Sequence, residues 1–323
     1  MRLFRRHRDR KTETPRRPVE DVDLDSLLAL VADNLGYACA FDPDGAALTL
    51  TGPRRLTVRL AGLRAEALRR SREDWPVLVS GHLTHALATA DEPFDACDLR
   101  QVRPLLRTRI QLDDDLDPAH VVGRHLTADL VEVLTIGPAA TAPTATAPTA
   151  PTGSAARPVR PEEVGCWPIT AGQALDLALE NARRDERLSV TEGDLGGVAV
   201  RRLTGPTEGA AAHLRRLGDY LPVPSDGVLV ALPDPATLIV HPVEGIGVVR
   251  AIERLRLFAQ REFERRAGAL SPQVYWWHAG RLSLIRADLI DQDGQTRLVV
   301  APPPDFARVL AALAVRSEGG AEG

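Results

Sequence analysis

Lysine is almost absent from this chain. Of 40 basic residues only Lys11 is a lysine, and one methionine accompanies it. The arginine excess reads first as codon bias, because the formal charge is −4 and not strongly positive. That balance argues against a specific nucleic-acid partner. Cysteine is scarce too, with only Cys39, Cys97 and Cys166. They are odd in number, far apart and without a C-x-x-C pair, which argues against a cysteine zinc site or a disulfide framework. A reducing cytosol fits, so cytoplasmic placement is expected. No apolar run approaches the roughly 18–20 residues of a membrane span. None follows the charged start, so no secretory signal is expected.

What is present is ordinary globular composition, 44% hydrophobic and 26% charged over 323 residues. At roughly 100–200 residues per domain the length suggests two domains. Residues 1–17 carry eight Arg or Lys against Asp9 and Glu13, a net +6 that leaves −10 on the rest. This is a disordered, solubilising basic tail, or one that makes weak contact with an anionic surface. "GPAATAPTATAPTAPTGSAARPVRPEE", Gly137–Glu163, is nearly all Ala, Thr and Pro at its start. Such a stretch buries no core and reads as an extended, semi-rigid linker. It separates an N-terminal domain, 20–136, from a C-terminal domain, 164–316.

The first domain opens on Leu24, Leu27, Leu28, Val31 and Leu35, at helical spacing, with Asp25 or Ser26 as cap. Two strands follow around "TGPRR", then helices in "LRAEALRRSRE" and "WPVLVSGHLTHALATA", then strands in "VRPLLRTRIQL" and "HVVGRHLTADLVEVLTIG". The second domain begins with a helix whose Thr170 and Gln173 form a capping box. Strands and helices then alternate through a long helix near 247–266 and end in "DFARVLAALAVR". The order predicts α+β, two mixed lobes joined by the linker.

Candidate chemistry is thin. "VLVALPDPATLIVHPVEG" holds Asp234 between two prolines and His241 past a short strand. Its apolar runs lack period-2 alternation, as in strands covered on both faces. An Asp in such a turn bonds its own local amides, so the stretch reads as a core hairpin. Asn181 falls on the apolar stripe of its helix and must be hydrogen-bonded inside or sit at a cleft. His82 and His85 share a helix face and would make half a metal site with Asp91, Glu92, His120 or His125. They lack the H-E-x-x-H pattern, so solvated or capping histidines are the plainer reading. "LDDDLDP" lacks the Gly and distal Glu of a calcium loop. "EGIGVV" is no phosphate loop. No cofactor is expected.

Three segments together resemble the YtpQ-like family of bacterial proteins: "ITAGQALDLALENARR", "DGVLVALPDPATLIVHP" and "QVYWWHAGRL". The resemblance covers 169–282, with a fainter echo in "VVGRHLTADLVEVL". The family has an Arg-Asp pair after the hairpin proline where this chain has Pro235-Ala236. It has no established reaction, so the resemblance implies fold and not chemistry. The sequence is thus read as a non-catalytic binding or adaptor protein with another protein as partner. The rival is a hydrolase that would use Asp234, His241 and Asn181 if they meet in one cleft.

Overall fold

The computed structural model describes residues 23–137, 156–205, 209–266, 268–292 and 295–319. The expected tail, 1–17, and most of the expected linker, 138–155, lie outside the described residues. The chain divides into two compact units, Met1–Pro93 and Phe94–Gly323.

The smaller unit is a helix, a three-stranded antiparallel meander and two further helices. α1, Leu24–Asn34, buries Leu24, Leu27 and Leu28 because their spacing puts them on one face. Its cap is Asp23 and not Asp25 or Ser26: the Asp23 carboxylate accepts the Ser26 amide at 2.7 Å. That bond holds the Asp23 carboxyl below its usual range. β1 (Ala38–Phe41), β2 (Ala47–Thr51) and β3 (Arg55–Arg59) pair in sequence. α2 (Ala61–Ala67) and α3 (Trp75–Ala88) follow. Leu28, Leu48, Leu50, Leu63 and Leu83 meet in the unit's core.

The larger unit starts with α4 (Leu99–Val102), β4 (Leu106–Leu112), β5 (Gly123–His125) and β6 (Leu130–Ile136). The Val-rich stretch expected as one strand is therefore two, antiparallel. Its turn is held by Thr127 Oγ1, which donates to Asp129 Oδ1 at 2.6 Å. β7 (Arg157–Pro158), α5 (Pro161–Val164) and α6 (Ala171–Asp185) come next. The expected Thr170–Gln173 capping box opens α6, with bonds of 2.9 and 3.2 Å.

The expected division at 137–163 needs correction. β7 lies inside that stretch yet pairs with β6, and Val159 is buried. Leu106, Leu134 and Ile136 from before it share a core with Val164, Trp167 and Leu175 from after it. Residues 94–136 thus belong with the C-terminal part, because shared apolar burial and not chain order makes a domain. Cys97 and Cys166 join the same two segments in a disulfide with Cα atoms 5.2 Å apart, and Cys39 is free. The reading against a disulfide is corrected: a separation of 69 residues hides a pair that folding brings together. The mixed α+β class and the two-unit organisation stand.

β8 (Ser189–Asp194), β9 (Ala199–Thr204), a 3₁₀ segment (Ala210–Asp219), β10 (Val228–Asp234), β11 (Thr237–Pro242) and α7 (Val248–Arg265) follow. β12 (Val274–His278), β13 (Arg281–Gln292), β14 (Gln295–Ala301) and α8 (Pro304–Gly319) complete the unit. Seven strands pair antiparallel in the order β14-β13-β12-β10-β11-β9-β8. β10, the central strand, carries side chains into two cores. Leu229 and Ala231 meet α7 and α8 on one face. Val228, Val230 and Leu232 meet the 3₁₀ segment, Ile110 of β4 and Leu130 of β6 on the other. This double covering explains the missing alternation in the hairpin. Among the described residues no helix is long and apolar enough to cross a membrane.

Candidate functional site

The three residues singled out for hydrolysis do not converge. Asp234 ends β10, and its Oδ1 accepts the Ala236 amide at 2.9 Å, the local bond expected of a turn aspartate. Its Oδ2 pairs with Arg266 Nη1 at 3.1 Å. His241 lies opposite Leu229 at the other end of the hairpin, about 16 Å away along the strand at ~3.3 Å per residue. Its Nδ1 donates to the Ala199 carbonyl at 2.7 Å. Asn181 is buried on α6, where Nδ2 donates to the carbonyls of Arg103 and Leu106 at 2.7 and 3.1 Å. Its Oδ1 accepts from Arg184 Nη2 at 3.1 Å. The amide nitrogen of Asn181 thus clamps α6 to the start of β4, while its oxygen takes a bond from within the helix.

The histidine set is dispersed as well. His82 and His85 lie on α3, and His82 Nε2 donates to the Arg59 carbonyl at 3.3 Å. Asp91 pairs with Arg54, His120 with Asp117 and His125 with Asp113. Among the described residues no group of three or more His, Cys, Asp or Glu stands where it would hold a metal ion.

Two buried polar chains that the sequence reading missed are structural. In one, Tyr220 Oη donates to His213 Nδ1 at 2.6 Å, and His213 Nε2 donates to Glu186 Oε2 at 3.3 Å. Glu186 and Asp185 in turn bind Arg107, at 3.4 and 2.9 Å. This links the 3₁₀ segment, α6 and β4. Burial raises the Tyr220 phenol pKa, while the Arg184 hydrogen bond lowers that of Asp185. In the other, Ser271 Oγ and Tyr275 Oη lie 2.7 Å apart, and Tyr275 donates to Asp129 Oδ2 at 2.6 Å. Ser271 and Tyr275 are fully buried, so no substrate reaches this Ser-Tyr-Asp arrangement.

A cleft of about 950 Å³ opens to solvent in the larger unit. One wall is the β12–β13 hairpin, whose two-residue turn places Ala279 and Gly280 at φ of 49° and 77°. Both angles are those of a type I′ turn, which matches strand twist. Alanine is uncommon there and suggests local strain at the cleft's lip. Behind the hairpin, Trp276 stacks on His278 with ring centroids 4.8 Å apart, and Trp276 Nε1 donates to the Asp226 carbonyl at 2.9 Å. Gly227 permits this approach: at φ 82° it has no Cβ, and one there would run into the Trp277 carbonyl. The other walls bring Arg124 and His125 from β5, Arg215 from the 3₁₀ segment and Arg308 from α8.

Charge sets the cleft apart from the acidic chain around it. Four guanidiniums, Arg124, Arg215, Arg281 and Arg308, line it with one carboxylate, Asp305, which pairs with Arg308. Glu132 lies beneath, its side chain only 1% exposed, and its Oε2 takes Arg124 Nε at 2.6 Å and Arg215 Nη1 at 3.5 Å. Asp176 Oδ1 meets Arg124 Nη1 as well, at 3.3 Å, so Glu132, Asp176 and Asp305 offset three of the four guanidiniums and leave one net positive charge. Arg124 Nη2 and Glu132 Oε1 are buried without a hydrogen-bond partner among the described residues. Trp277 and Leu282 face each other across the hairpin and add apolar surface. A cleft of this kind would bind anions and flat or apolar groups; among the described residues no hydrogen bond joins its Ser283 to His125 or His278.

Of the cleft residues, only His125 stood out in the sequence for its chemistry, and for a metal; residues 276–282 entered only through the family resemblance. The available signal was "HAGR", a small residue and Gly between two strands, which fixes a tight hairpin with His278 and Arg281 as flanks. The arginines lie on four separate elements, and their meeting has no linear pattern. No known protein family, no curated protein and no solved structure matches the chain.

Proposed function

We propose that the protein is a non-catalytic binding or adaptor protein that recognises an anionic partner through the basic cleft of its larger unit. The observation that carries this reading is the four-arginine lining beside Trp277 on a chain that is acidic outside its first 17 residues. A charged concavity in a molecule of opposite net sign focuses its field at that spot and steers partners there. Dispersal of Asp234, His241 and Asn181 ranks the hydrolase reading second. The YtpQ-like resemblance of residues 169–282 belongs to the same proposal and adds no reaction. The setting proposed is the bacterial cytoplasm, where the Cys97–Cys166 bond would stand in exchange with the thiol pool.

The test is fluorescence anisotropy with labelled decaglutamate and the full chain. Binding is expected at low salt, weakening as ionic strength rises. Arg281→Glu combined with Arg308→Glu is expected to abolish it. Failure of the unaltered chain to bind decaglutamate would overturn the reading. Turnover of p-nitrophenyl esters or phosphates that Asp234→Asn abolishes would put the hydrolase first.

A further inference from the structure

Over its first five residues β13 has a strand partner on one side only, among the described residues. Residues Arg281–Ile285 pair with β12, from His278 opposite Arg281 to Val274 opposite Ile285. On the other side β14 begins only opposite Arg286, at Ala301. Pro302, Pro303 and Pro304 follow Ala301, and prolines lack the donor that would extend the ladder. Five residues of β13, about 16 Å at ~3.3 Å each, therefore have one strand neighbour among the described residues.

The turn determines which groups are spare. Residues flanking a two-residue turn exchange both backbone bonds, and the pattern then alternates along the pair. Arg281, Ser283 and Ile285 thus direct N–H and C=O toward β12, while Leu282 and Leu284 direct theirs to the open side. Among the described residues no turn or loop bond reaches Leu282 or Leu284. Exposed edges of this kind are blunted in most proteins, because they template pairing with another chain. Here the first three residues of the edge, Arg281–Ser283, line the cleft, between Arg281 and Arg308 on one side and Trp277 and Leu282 on another.

We propose that the open edge of β13 takes an extended acidic peptide segment of a partner protein as an added strand. The inference rests on the binding reading above and gives it a partner and a geometry. Alternation along an added strand sends one set of side chains toward Arg281 and the other toward Leu282 and Trp277. The segment recognised thus alternates acidic and apolar residues. Main-chain bonds supply affinity in this mode and the alternating contacts supply selectivity.

The probe is a fluorescein-labelled heptapeptide alternating Glu and Val, with the full chain. Two isomers carry backbone N-methyl groups, one on every Val and one on every Glu. Only one set of amides faces β13, so one isomer is expected to lose at least about tenfold in affinity and the other to stay within about threefold. Arg281→Glu is expected to weaken the parent peptide at least about tenfold, and a Lys/Val heptapeptide is expected not to bind. Equal behaviour of the two isomers overturns the added strand, as does binding of decaglutamate without binding of the Glu/Val peptide; either leaves the anionic-partner reading intact. Tighter binding of decathymidylate than of the Glu/Val peptide overturns the proposal in favour of nucleic acid. Loss of decaglutamate binding as well removes the functional reading with it.

Discussion

Tyr275 of β12 donates its phenol hydrogen to Asp129 Oδ2 at 2.6 Å, across 146 residues of chain. The bond ties the sheet centre to the β5–β6 turn, and it joins segments on opposite sides of the Ala/Thr/Pro stretch. Tyr275→Phe keeps the ring packed but leaves Asp129 short of a partner, so the loss on unfolding is expected at about 1–3 kcal/mol. Burial first, and then Asp129, push the Tyr275 phenol pKa above its ordinary value of 10.0. A phenol raised by folding contributes stability that is complete below the unfolded value and is lost as pH rises beyond it. Urea unfolding from pH 8 to 11 should therefore show a steeper alkaline loss in the unaltered protein than in Tyr275→Phe. Parallel profiles would show that the phenol is not held in this way.

Alkylation counts the thiols. Denatured without reductant, the protein is expected to take one iodoacetamide, on Cys39, and after reduction three. Three labels without reductant would show that Cys97 and Cys166 are not bonded. Cys97→Ser is expected to lower stability by about 2–4 kcal/mol, since the bond closes a long loop in the unfolded chain.

The β10–β11 hairpin is core. Val230 is 0% and Ile239 1% exposed. Truncation of either to Ala is expected to cost roughly 2–4 kcal/mol through lost burial and a cavity. Asp234→Asn keeps the acceptor for the Ala236 amide and loses only a surface pair with Arg266, so about 1 kcal/mol or less is expected. Denaturant midpoints of the three variants test the ordering, and a stabilised Asp234→Asn would point instead to a strained functional acid.

Glu132 governs the charge of the cleft from beneath. Glu132→Gln keeps the shape but removes the buried negative charge under Arg124 and Arg215. Stability is expected to fall by about 1–3 kcal/mol, while decaglutamate affinity rises a few-fold. Unchanged affinity in the folded variant would mean that these two arginines do not face the ligand.

Much of the fold is legible because local rules carry it. Leu24, Leu27 and Leu28 announce α1 by spacing, Thr170 and Gln173 cap α6 by their side chains, and the hairpin prolines set its turn. The losses fall where distant residues decide. Val159 and Cys166 sit in or just beyond a stretch whose composition reads as linker, yet both are held by partners from before it. The β5–β6 turn hides in "HLTADL", where no glycine marks it and the Thr127–Asp129 bond does the turning. The cleft was nearly invisible, because Arg124, Arg215, Arg281 and Arg308 are ordinary surface arginines until four elements converge.

Hydrogen–deuterium exchange of the full chain, with and without decaglutamate, tests the central claim most directly. Exchange is expected to slow in the segments covering residues 123–126 and 278–285, with the β10–β11 hairpin, already protected by burial, unchanged. Protection confined to residues 23–93, or centred on Asp234, would contradict the account and move the site elsewhere.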